Sequence, residues 1–414
     1  MKKQVSVLAL AAVLACGAQA QQSGSSVNIF GVVDVGVTVL DGHSGTSKVR
    51  MVSSGQQLGS RLGLRGTEEL GNGYKAMFTI EHQFYADTGS QNQSTPLSGF
   101  AIPSRALVGI PNTIRAQLEP QLGQSLAASL NNAFWHRQAW AGLVTPVGAV
   151  LAGRQYSPVF QLFGRFDPHQ AGNVGNALAT LTVPTGVEVR INNSVQYVAE
   201  KNGFRLNGMV GAGEGDIGNG RFWGVSAGYA TGGLDVGVGY QTRKTSEGLQ
   251  SLQNTVVGAS YTTGPWKVTG MWLRAKDKHP ILGAQLRASL NASTAIPPAL
   301  KPAFLAYGSQ IADNLGFDGH LSYAGLHYMI NERNKLVASY GVYNDKVAER
   351  EAAIAGLALE HIVSKRTSIW LSGGYVDNKT GQQILPYSQG HLYGFTDKPG
   401  RDSSAYSMNI VHRF

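Results

Sequence analysis

From Gly59 to Arg65 the chain alternates, with Arg61 and Arg65 on one face beside Gly59 and Gly63, and Ser60, Leu62 and Leu64 on the other. A guanidinium keeps its charge at any physiological pH and attracts anions, so arginines facing water on a sheet with an apolar back fit a channel wall. The next segment repeats the pattern, with Tyr74, Ala76, Phe78 and Ile80 opposite Lys75, Met77, Thr79 and Glu81. A soluble sandwich buries its apolar face instead, so these two segments alone fit both architectures. Motifs for other chemistry fail on context. Gly224-Val225-Ser226-Ala227-Gly228 has the nucleophile-elbow spacing, yet alternation runs on through Tyr229 where a helix should start. Gly213 to Gly218 has dinucleotide-loop spacing but no helix follows it, and the ten histidines show no metal-binding spacing. No catalytic set, metal or cofactor is expected, and without a basic run no nucleic acid is expected as partner.

The elements that position these residues belong to an exported chain. Lys2 and Lys3, an apolar run from Val5 to Ala15, and Ala18-Gln19-Ala20 make a signal peptide over residues 1–20, leaving a single domain over 21–414. Its removal takes two lysines from a net +9, leaving +7, and takes Cys16, the sole cysteine. A mature chain without cysteine is no disulfide-stapled module. Charged residues are 14% of the 414, against about 25% in an average soluble domain, and there are 53 glycines without a collagen period. No apolar run reaches the length of a membrane helix.

Period-two segments decide the class. Sixteen candidate strands cover Val27–Val39, Gln56–Glu68, Tyr74–Ala86, Trp135–Leu143, Ala149–Gln155, Asn193–Glu200, Phe204–Ala212 and Phe222–Ala230, then Leu234–Arg243, Asn254–Thr262, Trp266–Lys276, Leu321–Ile330, Lys335–Asn344, Ile354–Ile362, Thr367–Val376 and Ser403–Phe414. Short turns such as Gly71-Asn72-Gly73 and Lys201-Asn202-Gly203 alternate with long connections at about 40–55, 87–134, 156–192, 213–221, 244–253, 277–320, 345–353 and 377–402. That alternation predicts an all-β, sixteen-stranded antiparallel transmembrane β-barrel with both termini in the periplasm and the long loops outside. Tyr406, Met408, Ile410, His412 and Phe414 form a largely apolar face, and the last strand must pair with the first, because free sheet edges are not tolerated in lipid. Two outer loops, 87–134 and 277–320, carry Ala/Leu-rich stretches at Thr113–Phe134 and Leu282–Ile311 that predict short helices packed at the rim.

Six segments resemble the general porins of beta-proteobacteria, within the trimeric sixteen-stranded Gram-negative porin family. They are Ser25 to Gly36, Gly59 to Gly71, Arg137 to Leu143, Gly153 to Pro158, Asn193 to Tyr197, and His412-Arg413-Phe414. The resemblance implies a homotrimer among outer-membrane lipid and lipopolysaccharide, delivered by the barrel-assembly machinery through the terminal Phe414. It implies channels for small hydrophilic solutes and ions, narrowed by a third loop, Tyr156–Asn192, folded inward. It also implies a wall cluster of Arg61, Arg137 and Arg190 facing acidic groups around that loop.

The residues support part of this independently. Arg61 and Arg65 lie on the polar face, and Arg190 shares parity with Asn192, Ser194 and Gln196; Arg137 shares parity with Ala139, Ala141 and Leu143, which is the poorer fit. Glu81, Asp167 and Glu188 would set a transverse field, with Arg154 and Arg165 lining the constriction from the other side. Asp34 reads as a hydrogen-bonded lumen residue. The expected function is passive, anion-preferring diffusion. A substrate-specific channel using Tyr156, Phe160, Phe163 and Phe166, or an adhesin anchored by the barrel, are the alternatives.

Overall fold

The computed structural model describes residues 25–43, 48–90, 104–111, 114, 134–181, 187–213, 219–294, 296–347, 349–386 and 395–414; the leader at 1–20 and the helical spacing expected over 115–133 lie outside these. The strand segments are β1 (Ser26–Asp41), β2 (Lys48–Ser54), β3 (Arg61–Gly71), β4 (Tyr74–Gln83), β5 (Gln138–Thr145), β6 (Gly148–Tyr156), β7 (Arg190–Lys201), β8 (Phe204–Gly211) and β9 (Asn219–Thr231). They continue with β10 (Leu234–Thr245), β11 (Gln250–Thr263), β12 (Trp266–Asp277), β13 (Phe317–Met329), β14 (Asn334–Asp345), β15 (Arg350–Ile362), β16 (Thr367–Asp377) and β17 (Ser403–Arg413). Among the described residues three helices of two turns or more lie in the loops, α1 (Pro158–Phe166), α2 (Leu282–Ala292) and α3 (Lys301–Asn314), besides a single turn at Leu178–Leu181.

Neighbouring strands pair antiparallel around the ring, and β17 returns to β1 with Val35 opposite Ile410. Gly31 and Phe414 exchange both backbone hydrogen bonds at 3.1 Å, which seals the seam at the chain's last residue. Every strand edge is thereby paired, as an apolar solvent demands. The alternation reads out directly in burial. Val27, Ile29 and Val37 of β1 are exposed on the outside, while Asp34, Thr38 and Leu40 are buried facing in. The same holds at β17, with Tyr406, Met408 and Ile410 outside and Ala405, Ser407 and Asn409 inside.

The second stave departs from the expected Gln56–Glu68. Both β2 and β3 pair with β1, β2 along Val35–Asp41 and β3 along Ser26–Val32, and residues 55–60 interrupt the stave between them. The seventeen segments therefore make sixteen staves, and the expected long connection at 40–55 is largely strand. The cause is Asp34. Its buried carboxylate accepts the backbone N–H of Gln57 at 2.7 Å and of Leu58 at 2.6 Å, plus Asn409 Nδ2 at 2.7 Å, and its carbonyl accepts Gly55 N–H at 2.9 Å. Charge-assisted bonds of this kind outweigh the ladder bonds given up over those residues.

The third loop enters the lumen and lies along the wall from β9 to β16. Ser157 caps α1 by accepting the N–H of Phe160 at 3.2 Å, Pro158 supplies the first helical position, and the Asp167 carboxylate beyond the helix accepts the N–H groups of His169 and Ala171. Leu162, Phe163 and Phe166 are buried against the wall, each contributing about 1.5–3 kcal/mol to seating the helix. Wall glycines make the room: a Cβ at Gly237 would stand 2.6 Å from Leu162, at Gly258 2.2 Å from Phe166, and at Gly325 2.2 Å from Pro168. Thr269 and Tyr323 hydroxyls donate to the Phe166 and Gly175 carbonyls, and the loop reaches the interrupted stave, where Asn173 N–H meets the Gln56 carbonyl at 2.7 Å.

Candidate constriction site

Glu81 stands on the inward face of β4 with two arginines on it. Arg61 of β3 approaches at 3.7 Å, and Arg137 holds it at 2.5 Å through Nε. Arg137 also donates to Gln83 Oε1 at 3.0 Å and to the Tyr156 hydroxyl at 2.8 Å. Arg190 donates to the same hydroxyl at 3.1 Å, with its guanidinium 4.7 Å from the Tyr156 ring centroid. Four residues from separate strand ends thus converge through Tyr156, which stacks on Phe160 of α1 at 5.5 Å.

The electrostatics are one-sided. Three guanidinium groups gather beside one carboxylate, which Arg61 and Arg137 touch and Arg190 does not; Glu81 is 4% exposed in its side chain while Arg61 keeps 19%, so the surface left to solvent is cationic. Arg190 has no carboxylate partner among the described residues, and its Nε is buried without an acceptor. Beside them, burial, and after it the charges of Arg190 and Arg137, hold the loop residue His136 down to about 4, so its imidazole is neutral and adds nothing to the charge.

Two arginines reach the site where the regular alternation of their strands is broken. β5 begins at Gln138 instead of Trp135, so Arg137 precedes the strand and turns inward although Ala139 and Leu143 face out. Near Arg190, Asn193 takes a positive φ of 48° and the register with β6 slips by one residue, which puts Ile191 opposite Gln155 on the inner face.

The other predicted residues lie apart from this cluster. Arg65 lies over the Phe30 ring at 4.8 Å, further along β3. Arg154 sits opposite Ala139 and donates to the His136 carbonyl at 2.6 Å and to the Asn192 side chain, bracing β6 to the adjoining strand ends. Arg165 on α1 is tied to Asp235 at 2.6 Å, and Arg205 holds the same carboxylate. Glu188 is gripped by Arg243 through two contacts of 2.8 and 2.5 Å. Asp167 is buried in the loop, where burial pushes its carboxyl up to about 7. Sequence reasoning passed over Arg243, Arg205 and Asp235. Arg243 and Asp235 share the inward parity of β10 with Gln241, a signal that was there to be read.

The chain's relatives agree with this architecture. The sequence profile described as Gram-negative porin matches residues 6–381. Outer membrane porin protein 32 of Delftia acidovorans is 26% identical over the whole of both chains, and an outer membrane porin protein of Bordetella pertussis is 25% identical over the whole of both. Among solved structures, the anion-selective porin from Comamonas acidovorans superposes with a TM-score of 0.69 at 22% identity, covering 94% of this chain and 100% of that one. OmpT of Vibrio cholerae in its trimer form superposes with a TM-score of 0.59 at 14% identity, covering 95% and 100%. A closed sixteen-stave barrel with a profile match across most of its length makes this chain a member of the Gram-negative porin family, which resides in the bacterial outer membrane.

Proposed function

We propose that the barrel is a passive diffusion channel for small hydrophilic solutes that favours anions, with its narrowest passage beside Arg61, Arg137 and Arg190. The observation carrying this is three guanidinium groups gathered around Tyr156 with Glu81 as their single carboxylate. In a narrow passage with low-dielectric walls, unbalanced fixed charge concentrates counter-ions and repels co-ions. A relative of the same fold is described as anion-selective, which supports the same sign. Arg65, Arg154, Arg165, Asp167 and Glu188 act as supports of wall and loop in this reading.

The mature chain begins after residue 20, both termini lie in the periplasm, and three copies assemble as a homotrimer; the trimer form of a solved relative supports the last point. A dedicated substrate track is less well supported, because Phe163 and Phe166 are buried in the loop's seat, leaving Tyr156 and Phe160 as the stacked pair beside the arginines.

The test is the reversal potential of single channels of refolded protein in a planar bilayer under a potassium chloride gradient. Anion-directed reversal is expected, moving towards zero when Arg61, Arg137 and Arg190 are replaced together by Gln. Cation-directed reversal in the wild type would overturn the assignment.

A further inference from the structure

We infer that the barrel carries a second anion site on the turn side of the third loop, where Arg165, Arg205 and Lys267 surround Asp235 and take a tetrahedral dianion of the phosphate type. The inference rests on the channel reading above and adds a class of solute to it.

The staves set this cluster apart from the constriction. Arg61 and Arg190 open β3 and β7, and Arg137 precedes β5, strands that run from the long-loop end of the barrel towards the short turns. Arg205, Asp235 and Lys267 are each the second residue of their strands, β8, β10 and β12, just after short turns. In an outer-membrane barrel that end opens to the periplasm. Register puts the wall residues on one face, with Asp235 opposite Ser260, Ser260 opposite Thr269, and Thr262 opposite Lys267. It is the inner face, because Thr269 donates to the Phe166 carbonyl of the loop and Asp235 receives Arg165 from α1 at 2.6 Å.

The charges at this end are uneven. Both arginines share Asp235, and Arg205 also donates to the Val236 carbonyl at 3.4 Å. A guanidinium has five N–H donors, so each keeps some for a second acceptor. Lys267 forms no ion pair among the described residues, although the charges of Asp235, Arg165 and Lys335 reach it. Lys335 itself is taken by Glu360 at 2.6 Å. Glu200, opposite Arg205 on β7, stays exposed at the mouth without an ion pair among the described residues. Three cations beside one carboxylate leave a surplus of two positive charges, which a dianion matches and chloride does not.

The space and the donors fit such an ion. The Thr231-Gly232-Gly233 turn, Asp235, Ser260, Thr262 and Lys267 line an open recess of about 380 Å³. A lysine ammonium is a point charge, and with two hydroxyls beside it the donors come from several directions. That suits tetrahedral oxygens better than a flat carboxylate, which a free arginine fork would favour. The recess and the arginines beside Glu81 then act in series on one anion path.

The test is the phosphorus NMR linewidth of inorganic phosphate titrated with the refolded protein in detergent, at mildly alkaline pH where phosphate is a dianion. Broadening is expected, reversed by sulfate and hardly by acetate. Lys267→Gln should reduce it several-fold, Lys267→Arg should restore most of it, and Arg61→Gln should keep most of it, each in protein whose heat-modifiable barrel is intact. Acetate competing as well as sulfate would overturn the dianion assignment. Broadening lost in Arg61→Gln and kept in Lys267→Gln would overturn the second site by placing the phosphate at the constriction, and no broadening in the wild type would overturn it outright. The reversal potential in potassium chloride is read separately, so Lys267-dependent broadening alongside cation-directed reversal would sink the channel reading and leave the site standing.

Discussion

From β9 round to β16 the inner wall presents Gly237, Gly258, Gly325 and Gly356 to the third loop, whereas from β3 to β7 it presents Arg61, Glu81, Arg137 and Arg190. The first half is a seat: backbone comes close, Leu162 and Phe166 fill the space, and each cation that meets the loop touches a carboxylate, Arg165 together with Arg205 on Asp235 and Arg243 on Glu188. The second half leaves positive charge over. Filling one side of the lumen leaves the passage to the other, so position and charge of the passage are set by different residues. Changes in the seat should alter how much passes, and changes in the charged half should alter which sign passes.

The largest expected effect comes from filling the seat. Gly258→Leu puts its Cβ 2.2 Å from the Phe166 ring, so α1 must lift towards the arginines, with an overpacking cost of about 1–3 kcal/mol. Single-channel conductance should fall several-fold with anion-directed reversal retained. Gly270→Ala, at a position with nothing within 4 Å, is the control and should change neither. Lost selectivity at unchanged conductance in Gly258→Leu would break the division between the halves.

A smaller effect sharpens it from the other side. Arg190 has no carboxylate partner among the described residues, while Arg165 is ion-paired with Asp235 against the wall. One unbalanced charge about 7 Å from a permeating ion, in a water-like medium with a Debye length of about 8 Å, is worth about 0.25 kcal/mol, favouring an anion and opposing a cation equally, or a little over a twofold change in the local anion-to-cation ratio. Arg190→Gln should lower the anion-to-cation permeability ratio by about that factor, and Arg165→Gln should leave it unchanged, both read as reversal potentials. Equal effects from the two would mean that total lumen charge decides selectivity.

How far these halves were legible follows from the range of the interactions. Wherever a stave meets lipid on one face and the lumen on the other, alternation must appear in the sequence, and fifteen expected strands fall on observed ones to within a few residues at their ends. The sixteenth failed at 55–60, because the break is made by Asp34 more than twenty residues earlier and by Asn409 from the far end of the chain. Arg61 and Glu81 were legible by parity; Arg137 was placed by the resemblance and against parity, since only a strand end at Gln138 frees it to turn inward. The glycine seat was legible as composition, 53 glycines, but not as a surface, because each glycine's partner is a loop residue distant in sequence. The same holds for Ala106 and Leu107 finding α2 and α3, where helix-like spacing announces an apolar face without saying what covers it.

The smallest expected effect belongs to the seat and is read by pH. Asp167 ends α1 with its carboxyl at about 7 against 3.8 for an ordinary aspartate, burial being the main cause, partly offset by the N–H groups of Ala171 and His169. A raised folded-state value means that the seated loop holds a proton the free loop has already lost. The seated state is therefore favoured fully below 3.8 and loses that advantage as pH rises to about 7, above which both forms are ionised and the full penalty applies. His169 does not mask this, since burial holds its imidazole down to about 3 and it stays neutral throughout. Brief partial closures of the open channel, the signature of a loop leaving its seat, should grow more frequent between pH 6 and 8 by roughly the several-fold expected of one ionising group. Asp167→Asn fixes the neutral state and should flatten that dependence while leaving the reversal potential unchanged, because Asp167 is buried away from the passage. A shifted reversal potential in this variant would place Asp167 in the charged half and move the boundary between the two.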